Sequence, residues 1–142
     1  MSLQKSTQKS IIIVDANVIL RYLLKDNEKF YKKAEALFND AFSGKQKILI
    51  LHSVIAEVVY VLSKLYKISR KEIAEVLTEF LKIKGIKVQD KEVLLDAFKI
   101  FENRNLDFVD CLLCAYSRKY QVVSFDNKLN KCIESFKSSL NI

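Results

Sequence analysis

The 142-residue sequence contains no proline and only two glycines, Gly44 and Gly85. So few residues that interrupt regular structure favour helices joined by short connections over an all-β fold with many turns. No apolar run approaches the ~20 residues of a membrane span, and the polar first ten residues lack the apolar stretch of a signal peptide. These absences predict a cytoplasmic protein without membrane contact, with a disordered leader at 1–10 and one domain at 11–142.

Histidine and cysteine are also scarce: His52 is the single histidine, and there are three cysteines. Cys111 and Cys114 lie three residues apart in an apolar run, so they share one helix face and are interpreted as small core residues. A zinc site would need more ligands than this. The cysteines imply no disulfide framework, which agrees with a reducing compartment.

Basic residues are abundant. Lysine and arginine number 24 against 17 acidic residues, which gives a net charge of +7. Such a field favours polyanions such as nucleic acid, although a solvated basic surface explains the same excess. Half of the residues are apolar, so the composition indicates a folded core rather than a disordered chain.

Four short apolar runs predict β-strands, at 11–14, 48–51, 86–88 and 122–125. Helical patterns are predicted between them and at the end: after Asp15, at 28–42 before Gly44, after Ser53, from a Ser69–Glu72 capping box to Gly85, from a cap at Asp90, at 108–120 and at 129–136. This order predicts an α/β fold, a three-layer α/β/α sandwich with a central parallel sheet of four to five strands.

Four acidic residues lie where such a sheet would bind a ligand. Asp15 follows the first predicted strand and Asp126 follows the fourth, and ligands gather outside the carboxyl ends of parallel strands. Glu57 and Asp110 lie early in apolar helices, where an unpaired carboxylate is costly. Because crowded carboxylates repel one another, we expect a divalent cation that prefers oxygen ligands, Mg²⁺ or Mn²⁺, among them.

Most of these acids also have a structural interpretation. Asp15 and Asp126 could cap the helices that follow them, and Asp107 and Asp110 are acids that a helix dipole favours near its start. Glu57 is not explained in this way, because it lies beyond the first residues of its helix. The argument for a site therefore depends on the set of acids rather than on any one of them.

The motifs that contain the acids resemble those of PIN-domain nucleases. In chain order they are Ile13-Val-Asp15-Ala-Asn17, Ser53-Val-Ile-Ala-Glu57-Val, Leu106-Asp-Phe-Val-Asp110-Cys-Leu-Leu-Cys-Ala115 and Val123-Ser124-Phe125-Asp126. The two cysteines of the third motif replace more usual small or apolar residues. The resemblance extends from Ile11 to about Leu129, and the compact form is most similar to the toxins of VapBC toxin–antitoxin pairs.

The resemblance implies a metal-dependent endoribonuclease. Its catalytic residues would be Asp15, Glu57, Asp110 and Asp126. Its Mg²⁺ or Mn²⁺ ligands would be Asp15, Asp110 and Asp126, with Glu57 orienting or deprotonating a water and Asn17 and Ser124 hydrogen-bonding ligand carboxylates or waters. Whether Asp107 joins this site is left open. Candidates for contacts with the RNA backbone are Lys25, Lys64 and Arg70. For most of the lysines, a position on a solvated helix face is the simpler interpretation.

The implied partners are an RNA substrate, an antitoxin protein and a second copy of the chain in a homodimer. Other functions were weighed against this one. A phosphatase of the haloacid dehalogenase type needs a second acid where Asn17 lies, and a receiver domain needs paired acids after the first strand. A PIN-like module that binds RNA or protein without cleavage and a housekeeping RNA-processing nuclease both stay open, although the presence of all four acids argues against the first.

Overall fold

The structure, a computed structural model, describes residues 10–140, with side chains to residue 137. The predicted disordered leader therefore lies outside the described residues, apart from Ser10. The strands are β1 (Ile11–Ile13), β2 (Lys47–Leu49) and β3 (Ile86–Lys87). The helices are α1 (Ala16–Leu24), α2 (Glu28–Phe42), α3 (His52–Tyr60), α4 (Arg70–Leu81), α5 (Lys91–Asn103), α6 (Phe108–Tyr116) and α7 (Asn127–Leu140), and a turn of π-helix, Val61–Leu65, extends α3.

The strands form a parallel sheet in the order β1-β2-β3. Ile12 lies opposite Ile48, and Ile48 lies opposite Ile86, so the central strand is the second one in the chain. The predicted α/β class with a parallel sheet is confirmed. The sheet of the described residues has three strands rather than four to five, and the three-layer arrangement of helices around it stays a prediction.

The fourth predicted strand is wrong, because residues 122–125 form an irregular segment before α7. Its polar groups are used locally: the Ser124 carbonyl accepts a hydrogen bond from Asn130 Nδ2 at 2.9 Å, and the Ser124 hydroxyl accepts one from the Asp126 N–H at 3.0 Å. Val123 and Phe125 point into solvent, 77% and 100% exposed. An apolar run forms a strand only if a neighbouring strand pairs with it, and no strand of residues 10–140 pairs with this one.

Most helix limits follow local signals. Helix α2 has the predicted bounds, with the Asn27 side chain accepting from the Phe30 N–H and Gly44 in the left-handed region at φ +84° just after its end. Ser69 caps α4 by accepting from the Glu72 N–H at 3.2 Å. The helix predicted at 108–120 ends earlier, at Tyr116. No helix in the described part of the chain is long and apolar enough to cross a membrane.

Asp90 precedes α5 as predicted, but its side chain does not cap that helix. Its carboxylate instead accepts hydrogen bonds from the Tyr116 hydroxyl at 2.7 Å and from Lys119 Nζ at 3.0 Å. These bonds lower the pKa of Asp90, the Tyr116 bond being the largest cause. The residue therefore connects the start of α5 to the end of α6 rather than stabilising one helix start.

The core lies between the sheet and the helices, and its largest fully buried side chains include Phe38, Ile48, Leu94 and Phe98. At Gly85 the backbone lies very close to the backbone of Ala41 and Gln46. A Cβ atom on it would lie 2.4 Å from the carbonyl oxygen of Gln46, closer than such atoms can approach. The carbonyl oxygen of Gly85 accepts a hydrogen bond from the Ile48 N–H. The absence of a side chain on Gly85 therefore allows β3 to pair with β2.

A disulfide joins Cys114 of α6 to Cys132 of α7. The expectation of no disulfide is therefore wrong for this pair, since the two helices pack together and place the cysteines opposite each other. Cys111 is free and buried, as the core interpretation predicted. Burial raises its thiol pKa to about 12, which keeps it protonated and unreactive at neutral pH.

Candidate acidic site

Asp15 follows β1 and opens α1. Its Oδ1 accepts a hydrogen bond from the Val18 N–H at 3.1 Å, so the interpretation of Asp15 as a helix cap is confirmed. The side chain is exposed and lines a cavity of about 310 Å³ between α1 and α2, together with Asn17 and Lys33. A cap uses one carboxylate oxygen, and it holds the carboxylate at the carboxyl end of the sheet, where a ligand would bind.

Asp126 opens α7 in the same way as Asp15 opens α1. Its Oδ1 accepts from the Leu129 N–H at 3.0 Å, so its interpretation as a cap is also confirmed. The Ser124 hydroxyl accepts from the backbone N–H of Asp126, and its predicted bond to a ligand carboxylate or water stays a prediction. Ser124 therefore fixes the backbone on which the carboxylate of Asp126 is held.

Asp110 lies in the first turn of α6 and is half-buried. Its pKa is raised above the ordinary value by burial, and further by the carboxylates of Asp126 and Asp107, in that order. All of these influences oppose ionisation. Asp107, Asp110 and Asp126 are named here the acidic group.

The sequence left open whether Asp107 joins the site. Its carboxylate is close enough to Asp110 to raise the pKa of that residue. It occupies the cap position of α6, yet its side chain makes no capping hydrogen bond. Its carboxylate is therefore not committed to the helix start. Asp107 is therefore, like Asp126, a neighbour of Asp110, and its membership of the site is a proposal.

A cavity of about 390 Å³ adjoins the acidic group and is lined by residues of α3, α4 and α6, among them Lys64, Asp107 and Asp110. Arg70 lies at its border, where the guanidinium stacks on the Phe101 ring at 3.8 Å. Arg70 also donates to the carbonyl oxygens of Phe101 and Leu106. Its charge is thus used to hold the loop before Asp107, which disfavours the interpretation of Arg70 as an RNA contact.

Glu57 is exposed on α3. Helix α3 contacts α1 and α6, and α6 contacts α7, so the four predicted acids lie on helices that are connected by packing. As placed between residues 10 and 140, no three acidic, histidine or cysteine side chains form a group that could hold a metal ion. Convergence of Asp15 and Glu57 on the acidic group therefore stays a prediction, as does the role of the exposed Asn17.

The chemistry of the acidic group nevertheless fits a hard divalent cation. All of its side-chain donors are carboxylate oxygens, the ligands that Mg²⁺ and Mn²⁺ prefer. A bound cation would offset both causes that raise the pKa of Asp110, burial of the carboxylate first and repulsion by Asp126 and Asp107 second. Asn130, whose side chain helps to hold the Asp126 loop, was missed in the sequence; an asparagine inside a helix, where it is not favoured, was the available signal.

The parallel sheet places the chain among α/β proteins, and the acidic group lies at the starts of α6 and α7. The sequence model of the PIN domain family matches residues 12–132, which include all four acid motifs, and the chain belongs to this family. It is 30% identical over 122 residues, 84% of this chain and 90% of the relative, to a VapC ribonuclease of Aquifex aeolicus (strain VF5). A comparison with solved structures finds no match.

Proposed function

We propose that the protein is a metal-dependent endoribonuclease that hydrolyses RNA phosphodiester bonds and serves as the toxin of a toxin–antitoxin pair. Membership of the PIN domain family and the similarity to a VapC ribonuclease over most of both chains support this activity. The observation that supports the site is the acidic group: after burial, which is the largest cause, the carboxylates of Asp126 and Asp107 raise the pKa of Asp110, so the three acids are neighbours. A cation is the natural complement of such a group.

Asp15, Asp110 and Asp126 are the proposed ligands of Mg²⁺ or Mn²⁺. When bound, such an ion lowers the pKa of a coordinated water and neutralises charge on the scissile phosphate. The chain's own contribution is to hold these carboxylates. The backbone bond of Asp126 to Ser124 orders one of them, and the contacts of Arg70 with the carbonyl of Leu106 order the loop next to Asp107.

Glu57 is proposed to orient the attacking water or to accept its proton, a task for which an exposed carboxylate on a helix is suited. Asn17 is proposed to hydrogen-bond a ligand carboxylate or a water beside Asp15, since both residues line one cavity. Both assignments require α1 and α3 to bring these side chains towards the acidic group. The packing of α3 on α1 and α6 supports that geometry.

An antitoxin protein and a second copy of the chain are the proposed partners, and the cytoplasm is the proposed location. Large apolar side chains exposed on adjacent elements support a protein interface: Tyr60 is 60%, Leu65 68% and Val109 53% exposed. A short adjacent reading frame encoding a DNA-binding protein would favour a toxin. Its absence would favour a housekeeping RNA-processing nuclease.

The activity is tested by incubating the purified chain with end-labelled single-stranded and structured RNA, with Mn²⁺ or Mg²⁺ and with EDTA. We expect internal cleavage that requires the ion and is lost in Asp110→Asn. Asp40→Asn is the matched control, because Asp40 is an exposed aspartate on α2, outside the acidic group. RNA that is bound but stays intact at every ion concentration would contradict the proposal and favour a non-cleaving binding module.

A further inference from the structure

Phe125 is the most exposed large apolar side chain of the described residues, with 100% of its surface accessible. Burial of a large apolar side chain stabilises a folded protein, so the exposure of this ring gives the fold no such benefit. It lies between Ser124 and Asp126, directly next to a member of the acidic group. Among the residues that the structure describes, none covers this ring, which is therefore available to a ligand.

The loop that presents Phe125 is ordered by hydrogen bonds on both sides of this residue. Ser124 accepts from the Asp126 N–H and from Asn130 Nδ2, and Asp126 accepts from the Leu129 N–H. These bonds fix the backbone before and after the aromatic ring. An ordered loop therefore presents the ring to solvent. Because this loop is already ordered, its backbone loses less conformational entropy when a ligand stacks on the ring.

Basic side chains follow the ring. Lys128 and Lys131 are exposed in the first turns of α7, and neither forms a salt bridge with any side chain that the structure describes. A lysine at the start of a helix opposes the helix dipole, and the first turn of α7 contains no acid. The helix dipole therefore does not favour these cations, and both lie within six residues of Phe125 on the helix that follows it, where their charges are available to an anionic ligand.

We propose that Phe125 is a stacking platform for one base of single-stranded RNA, with Lys128 and Lys131 beside its phosphates, and that it positions the strand at the acidic group. Aromatic rings flanked by cations are the usual means by which proteins hold single strands without reading sequence. The inference depends on the proposed nuclease function for its substrate. It adds a binding residue that none of the four acid roles supplies.

The first test compares the cleavage kinetics of the full-length wild type, Phe125→Ala and Phe42→Ala on single-stranded RNA. Phe42 is the matched control, because it is 71% exposed and ends α2, where the chain enters the amino end of β2. Loss of one stacked base weakens binding by roughly 5- to 150-fold. We expect Phe125→Ala to raise KM about tenfold with kcat within about twofold, Phe125→Tyr to restore KM, and Phe42→Ala to match wild type.

The second test does not depend on cleavage. The chain contains no tryptophan, so Phe125→Trp introduces one tryptophan, whose fluorescence can be excited selectively over that of the six tyrosines. In an Asp110→Asn background, a single-stranded oligouridylate should quench this tryptophan by stacking, whereas inorganic polyphosphate of equal charge should not. A tryptophan at position 42, from Phe42→Trp in the same background, should stay unquenched by both.

The outcomes separate the two proposals. Quenching at position 125 in a chain whose wild type cleaves no RNA would uphold the platform and remove the nuclease function. Cleavage with an unchanged KM in Phe125→Ala and no quenching would uphold the nuclease and overturn the platform. A changed elution volume of Phe125→Ala with an unchanged KM would also overturn it, because the ring would then be a protein contact.

Discussion

Replacing Asp110 with asparagine removes a charge that burial, Asp126 and Asp107 all oppose. The side chain is only partly buried, so solvent screens most of this repulsion, and we expect the metal-free variant to gain about 0.5 kcal/mol in the free energy of unfolding at pH 7. For a chain of this length that corresponds to a rise of roughly 1–2 °C in Tm. The sign of the change in Tm is the decisive observation. Substitution of a residue that stabilises the fold lowers Tm, whereas Asp110→Asn should raise it.

The pH dependence of this gain follows from the raised pKa of Asp110. An acid whose pKa is higher in the folded state than its ordinary value of 3.8 destabilises the fold once it is ionised. The advantage of asparagine should therefore be complete above the folded-state pKa and should vanish as the pH falls below the ordinary one. Wild type and variant should unfold alike in acid.

Divalent ions should reverse the order of stability. At 100 times its dissociation constant, Mn²⁺ stabilises a protein that binds it only when folded by about 2.7 kcal/mol, or roughly 5–11 °C in Tm here. Thermal unfolding followed by circular dichroism should show this rise in wild type and in Asp40→Asn, and little of it in Asp110→Asn. A metal-free Asp110→Asn less stable than wild type, or one that Mn²⁺ stabilises as strongly, would refute the reasoning.

Three further predictions concern the frame around the site. The Cys114–Cys132 disulfide closes a loop with a sequence separation of 18, so its reduction or Cys132→Ser should lower the free energy of unfolding by about 3 kcal/mol, measured by thermal unfolding. Thiol titration of the denatured oxidised chain should find one free thiol, and three thiols would contradict the structure. Gly85→Ala would place a methyl group 2.4 Å from a backbone oxygen, so it should lower the free energy of unfolding by about 1–3 kcal/mol. Urea titration measures this change, and an unchanged unfolding midpoint would contradict the prediction. Ser124→Ala should lower RNA cleavage severalfold by releasing the backbone of Asp126, with Ser124→Thr close to wild type; equal loss in both would show that the hydroxyl's hydrogen bond is not the cause.

Local signals predicted the fold where a short segment alone decides the structure. The bounds of α2 follow from a cap at Asn27, a helical apolar pattern and Gly44, all within the segment itself. The capping box at Ser69 has the same character. Strand 122–125 was predicted wrongly because an apolar run has no information about whether a partner strand lies beside it.

The site shows the same division. The sequence predicted that Asp15 and Asp126 lie at helix starts, since each precedes a helical pattern, and both capping bonds are present. Asp107 is near Asp110 because both lie at the start of α6, three residues apart, a spacing that the sequence itself contains. The closeness of Asp126 to Asp110 depends instead on the packing of α6 against α7, which no spacing in the sequence contains. The disulfide between these helices depends on the same packing.

The central claim is that carboxylates from separate parts of the chain hold one divalent cation at the acidic group. Crystals grown with Mn²⁺ and measured near the manganese absorption edge test it most directly. We expect an anomalous peak within bonding distance of carboxylate oxygens of Asp110 and Asp126, with Asp15 as a further ligand. A Mn²⁺ ion bound elsewhere on the chain, or no peak at concentrations that support RNA cleavage, would contradict it.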